Sequence, residues 1–164
     1  MKPVFDFHPA SREEFDKLWD FNVNTHPEDG RWRVWRAEYA ALNALGIAET
    51  WVVTADGEPV GEGTILWKPG CSAVNDRLFI ADGRTRANLD GLRMRKAYEG
   101  KGLMSRLVKH MEATAKERGY GVMTIGVDEK EKRNCLIYDH WGYRTLILKT
   151  WEDGEPVLYL SKEL

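Results

Sequence analysis

Between Leu92 and Arg106 the chain reads Leu-Arg-Met-Arg-Lys-Ala-Tyr-Glu-Gly-Lys-Gly-Leu-Met-Ser-Arg. Leu92 and Met94 fall on one face of an alternating run, two glycines follow with one residue between them, and an amphipathic stretch begins at Leu103. That order predicts a strand, a glycine turn and a helix start. The chemistry on offer is anion binding. The first turn of a helix has backbone N–H groups with no intrahelical acceptor, and the helix dipole favours negative charge beside them. Glycine lets those amides approach an oxyanion with no Cβ in the way. Gly100, Lys101, Gly102, Met104 and Ser105 are therefore candidates for a diphosphate cradle, with a plain tight turn as the alternative. The spacing is neither Gly-x-Gly-x-x-Gly nor the lysine-bearing nucleotide loop, which argues against both of those phosphate-binding folds.

The elements that must position this turn are legible along the chain. Residues 4–8 alternate apolar and polar, as a half-buried strand does. Ser11 precedes Glu14 by three positions, a capping-box pattern, and Phe15, Leu18, Trp19 and Val23 share one face of the helix it opens. His26-Pro27 and Asp29-Gly30 end that helix. A second helix is expected over residues 32–45, with Val34, Ala37, Ala41 and Leu45 as its stripe and Gly46 as its stop. Residues 50–54 and 59–67 flank Asp56-Gly57 and predict a hairpin. Residues 68–84 read as a loop with a short strand at 78–81, and residues 86–95 as a longer strand. After the glycines, Leu103, Leu107, Met111 and Ala115 mark the buried stripe of a helix that Gly119 ends. A strand over 122–127, a short helix over 131–140 and a last strand pair, 144–151 and 156–161 around Asp153-Gly154, complete the pattern. Together these predict an α/β (α+β) fold: one domain, residues 1–164, with a mixed, mostly antiparallel sheet.

Bulk properties exclude several functions. A formal net charge of -2 gives no field to recruit nucleic acid or an anionic membrane. Cys71 and Cys135 have no Cys-x-x-Cys partner, so neither a metal knot nor a disulfide framework is predicted, and a reducing cytoplasm is the expected compartment. His8, His26 and His110 lack ligand spacing, and no metal is expected. The first residues lack a basic start followed by an apolar run, so no signal peptide is expected. Most of the tryptophans are read as packing.

Tyr98-Glu-Gly-Lys-Gly-Leu-Met104 resembles the coenzyme A pyrophosphate loop of the GNAT acetyltransferase family, which usually reads Arg/Gln-x-x-Gly-x-Gly/Ala. Asn134-Cys-Leu-Ile-Tyr-Asp-His-Trp-Gly-Tyr143 is similar to the same family's Asn-x-x-Ala-x-x-Tyr-x-x-x-Gly-Phe signature. The resemblance covers residues 50–164. It implies the GNAT fold, with about six to seven strands and about four helices. It also implies an N-acetyltransferase that uses acetyl-CoA as acyl donor, or alternatively a coenzyme A-binding sensor or partner-binding module without turnover. Two departures stand out. Glu99 occupies the place of the usual basic or amide residue, and Met104 that of the last small one. Arg95, Lys96, Lys101 and Arg106 are cations that could offset Glu99.

Carried across by resemblance, the backbone of Leu92 and Met94 would pair with the pantetheine amides as an added strand does. Asn134 would hold the pantetheine arm, its local alternative being a helix cap. Tyr138 takes the position of the general acid, its alternative being a buried structural tyrosine. Glu62 and Asp90 are the candidate bases on central strands, and each has a salt-bridged alternative. The acceptor, a small-molecule or peptide amine, is expected against the two N-terminal helices and the 68–84 loop. Trp35, Glu38 and Tyr39 are its candidate wall. A homodimer is an open expectation, since members of this family often pair.

Overall fold

The computed structural model describes all residues, Met1–Leu164. Seven strands and four α-helices follow one another as β1 (Phe5–Pro9), α1 (Arg12–Asn24), α2 (Arg31–Ala44), β2 (Ala48–Ala55), β3 (Glu58–Leu66), β4 (Arg86–Met94), α3 (Leu103–Glu117), β5 (Val122–Asp128), α4 (Lys132–His140), β6 (Thr145–Glu152) and β7 (Glu155–Glu163). A 3₁₀ turn, Lys96–Tyr98, precedes α3. The sheet order is β1-β2-β3-β4-β5-β7-β6. It is mixed: β4 runs parallel to β5, while β1 with β2, β5 with β7 and β6 with β7 are antiparallel. The chain divides into two compact units, Met1–Ile65 with Gly91–Met111, and Leu66–Asp90 with Glu112–Leu164.

In the first unit the expected capping box is present. Ser11 accepts from the Glu14 amide and Glu14 accepts from the Ser11 amide, so two orphan donors of α1 are satisfied reciprocally. Phe15, Leu18, Trp19 and Asn22 form its buried face. The stripe anticipated for α2 is wrong. Val34 and Leu45 are exposed, and Tyr39 and Leu42 are the buried residues. Ring stacking decides the rotation: Tyr39 lies 5.6 Å from Trp19, and Trp32 lies 6.4 Å from it. Burying large aromatic area outweighs burying Val34 and two alanines. The Asp56-Gly57 turn joins β2 to β3 with φ of 47° and 85°, the left-handed pair a tight hairpin requires.

In the second unit β4 pairs with β5 over Arg86–Leu89, and β5 pairs with β7 along its whole length. The strand expected at 78–81 is instead a turn. The Ile80 and Ala81 amides both donate to the Arg77 carbonyl, and both residues are wholly buried, so neither a ladder nor an alternating pattern is possible there. Ile80, Leu89, Met123, Ile125 and Tyr143 form this unit's core. Leu103, Leu107, Met111 and Ala115 of α3 are each at most 2% exposed, as their spacing predicts. No helix is long and apolar enough to cross a membrane.

Candidate active site

The approach to α3 is built from backbone. Arg95 and Glu99 are extended on either side of the 3₁₀ turn. Gly100 and Gly102 then both adopt φ +74°. That angle is strained for any residue with a Cβ, so glycine is required by conformation. A Cβ built at either position would meet nothing within 4 Å, so the space beside both is open. Arg106 N donates to Gly102 O at 3.2 Å, which closes the first helical turn. The amides of Leu103, Met104 and Ser105 therefore fall in the part of the helix that has no intrahelical acceptor. Lys96, Lys101 and Arg106 are exposed beside them, as is Glu99. The guanidinium of Arg106 lies 4.6 Å over Phe7 and that of Arg95 lies 4.5 Å over Phe21, which fixes where two of the cations stand.

On α4, Asn134 donates its amide to the carboxylate of Glu131. This leaves the Asn134 carbonyl oxygen and its second N–H available to a ligand. One turn on, Tyr138 is half-buried, tilted against Trp141 at 5.4 Å, and its hydroxyl makes no hydrogen bond. Its pKa is pushed up to about 12, first by burial and then by the negative charges of Glu131 and Asp90, with Cys135 adding to them. Two residues far apart in sequence, Tyr138 and Asp90, thus lie close enough for one to feel the other's charge. Tyr143 plays a different part. It is 1% exposed and donates to Glu112 at 2.6 Å, and Lys162 donates to both oxygens of the same carboxylate at 3.1 Å. The phenol pKa is raised by burial and by that carboxylate.

Glu62 sits in the other unit, 3% exposed. Arg93 Nη1 donates to its Oε1 at 2.8 Å and Asn22 Nδ2 to its Oε2 at 3.0 Å. Arg93 is itself held over the rings of Trp19 and Trp32, at 5.3 and 4.9 Å. Burial pushes the Glu62 carboxyl above its usual range, against the opposing pull of Arg93 and Asn22. A cavity of about 170 Å³ beside it is lined by Glu62, Asn22, His26, Arg93, Arg95 and apolar neighbours. Trp35 packs edge-on to Trp32 at 5.2 Å. Tyr39 is 7% exposed against Trp19 and Glu38 is half-buried. None of these three lines that cavity.

The larger cavity, about 580 Å³, lies in the second unit. Ser72, Ala73, Asn75 and Arg77 of the long loop line it, as does Asp90, but no residue of α1 or α2 does, so Trp35, Glu38 and Tyr39 are not part of this wall. The rest was not anticipated: Asn88, Gly126, Asp128, the β6–β7 hairpin end Trp151–Glu152–Asp153, and Tyr159. One signal was present. An exposed tryptophan beside two acids at a turn is an unusual place for so large an apolar surface. Tyr159 can lie against β5 because residue 126 is glycine; a Cβ there would stand 2.9 Å from Tyr159 Cε1. No three His, Cys, Asp or Glu side chains converge as metal ligands do.

The model of the acetyltransferase (GNAT) family matches residues 12–143. Among solved structures, a GNAT family acetyltransferase from Elizabethkingia anophelis with acetyl-CoA bound aligns over 98% of this chain and 98% of its own, with TM-score 0.64 and 16% identity. An acetyltransferase from Salmonella typhimurium that modifies the N-terminal serine of ribosomal protein L7/L12 covers 98% and 95%, with TM-score 0.71 and 13% identity. Aminoglycoside 6'-acetyltransferase type Ii covers 96% of each chain, with TM-score 0.72 and 18% identity. Identities this low show a shared fold and nothing finer. No curated protein matches the sequence.

Proposed function

This chain belongs to the GNAT acetyltransferase family, and on that premise we propose that it moves an acetyl group from acetyl-CoA directly to an amine of a small molecule or peptide. One observation carries the reading: two glycines at φ +74° hold the chain open beside unpaired helix amides, with nothing beyond their immediate chain neighbours within 4 Å of where a side chain would begin. That is the shape and polarity a diphosphate needs. The relative from Elizabethkingia anophelis, crystallised with acetyl-CoA, supports the choice of cofactor.

Gly100, Lys101, Gly102, Met104 and Ser105 would hold the diphosphate, chiefly through main-chain N–H groups. The backbone of Leu92 and Met94 would pair with the pantetheine amides; the parallel ladder from β4 to β5 ends at Leu89, before either residue. Asn134 would accept an amide proton at Oδ1. Bound acetyl-CoA supplies the acetyl thioester. Tyr138 keeps its proton on Oη at physiological pH, as a phenol does, and donates it as the thiolate leaves. Asp90, on the wall of the larger cavity, takes the proton from the attacking amine. Glu62 is the second candidate, its oxygens accepting from Arg93 and Asn22 away from the larger cavity. The activity belongs to a single domain, residues 1–164. Cytoplasmic residence and a homodimer are parts of the same reading, the latter checked by sedimentation.

Calorimetry with acetyl-CoA and a thiol-release assay over primary amines test this. Heat of binding together with thiol release is expected. Binding without release for any amine favours the sensor. No heat at millimolar acetyl-CoA removes the cradle.

A further inference from the structure

The cavity of about 170 Å³ has two guanidinium groups on its wall, Arg93 and Arg95, against one carboxylate, Glu62. His26, the other ionisable residue of the lining, is neutral or positive, never negative. The protein leaves most of the guanidinium donors unused. Arg93 donates once, from Nη1 to Glu62 Oε1 at 2.8 Å, and its other N–H groups make no hydrogen bond within the chain. The second oxygen of Glu62 accepts from Asn22, not from Arg95. The Arg95 guanidinium has neither a hydrogen bond nor an ion pair; it rests over the ring of Phe21, another lining residue. Both arginines are half-buried, so a donor left unpaired here is only partly compensated by water.

The direction of these side chains sets them apart from the face of the sheet on which α3 packs. A Cβ at Gly63 would stand 2.7 Å from Leu92 Cδ2 and 3.1 Å from Met111 Sδ, and one at Gly61 would stand 2.6 Å from Met94 Cε, so Leu92 and Met94 point toward α3. Arg93 and Arg95 alternate with them along the extended chain and point the other way, where α1 supplies Leu18, Asn22 and His26 to the lining.

Resting on the acetyl transfer proposed above, we propose that the acceptor is a free amino acid whose carboxylate is bound in this cavity by Arg93 and Arg95. The planar fork of a guanidinium matches a carboxylate in shape. Glu62 opposes one of the two cations, and a single negative charge on the ligand balances the other. Leu18, Phe21 and Val60 give the acid's hydrocarbon an apolar wall. The volume is below that of a site for a drug-sized molecule. The neutral nitrogen of the acceptor attacks the acetyl carbon, the carbon–sulfur bond breaks, and the carboxylate is unchanged.

The test measures thiol release at fixed acetyl-CoA for each common α-amino acid and for its carboxamide. The carboxamide has the less basic amine, so more of it is neutral and the chemical step alone favours it. At least one acid should still exceed its amide in kcat/KM by roughly tenfold or more, the effect of a charge-assisted pair in a partly shielded site. In Arg95→Gln that ratio should fall several-fold while calorimetry shows the same acetyl-CoA affinity, and Arg95→Lys should restore part of it. Release in which no acid is preferred to its amide overturns the acceptor class while the acetyltransferase reading stands. An unchanged ratio in Arg95→Gln overturns the placement in this cavity; if acetyl-CoA binding weakens instead, the cation serves a phosphate of the cofactor. No release with any amine overturns both.

Discussion

Arg93 and Glu62 form a part-buried ion pair at 2.8 Å whose cation lies over the rings of both Trp19 and Trp32. The pairing separates the two candidate bases. Glu62 is tied to Arg93 and Asn22 beside the smaller cavity, and Asp90 lines the larger one. Asp90→Asn should lower kcat/KM by roughly a hundredfold, and Glu62→Gln by less than tenfold, in the thiol-release assay. The reverse order would make Glu62 the base.

The same pair predicts a pH dependence of stability. Burial raises the folded-state pKa of Glu62 above 4.5, so the folded protein takes up this proton at higher pH than the unfolded chain does. The resulting stabilisation is complete below about 4.5 and is lost as pH rises through the folded pKa. Relative to Glu62→Gln, the wild type should therefore lose stability as pH rises from that value towards neutrality. Urea titrations of both proteins across that range measure the difference. A difference that grows in favour of the wild type with rising pH would mean that the attraction to Arg93 outweighs burial.

Tyr138→Phe should reduce kcat by roughly a hundredfold with little change in acetyl-CoA affinity, because only the proton on Oη is removed. The wild type should show no fall in kcat from Tyr138 ionisation up to roughly pH 10, given its pKa of about 12. Equal rates for the two proteins would remove the acid role.

At the cradle, Gly102→Val places a β-branched residue at φ +74°. It should cost about 1–2 kcal/mol of stability and weaken acetyl-CoA binding roughly tenfold by filling the approach to the amides. Thermal melts and calorimetry separate the two effects. Glu99→Arg should act in the opposite direction, tightening binding a few-fold at low salt and less at high salt.

What the sequence by itself determined is local. A glycine pair before an amphipathic run dictates open amides at a helix start, whatever packs around it. Ser11 with Glu14 dictates a cap, Asp56-Gly57 a hairpin, and the four-residue spacing from Leu103 to Ala115 one buried face. In each case the partners lie within a few residues, so the pattern specifies the bond. The tertiary structure decided everything that needed partners distant in the chain. Trp19 turned α2 so that Tyr39, rather than Val34, is buried. Arg93 and Asn22 claimed Glu62 across intervals of 31 and 40 residues. The acidic cavity joins the 68–84 loop, the strands β4, β5 and β7 and the β6–β7 hairpin. Spacing along the chain carries no record of such encounters, because they arise from the competition among side chains for buried area and for buried hydrogen-bond partners.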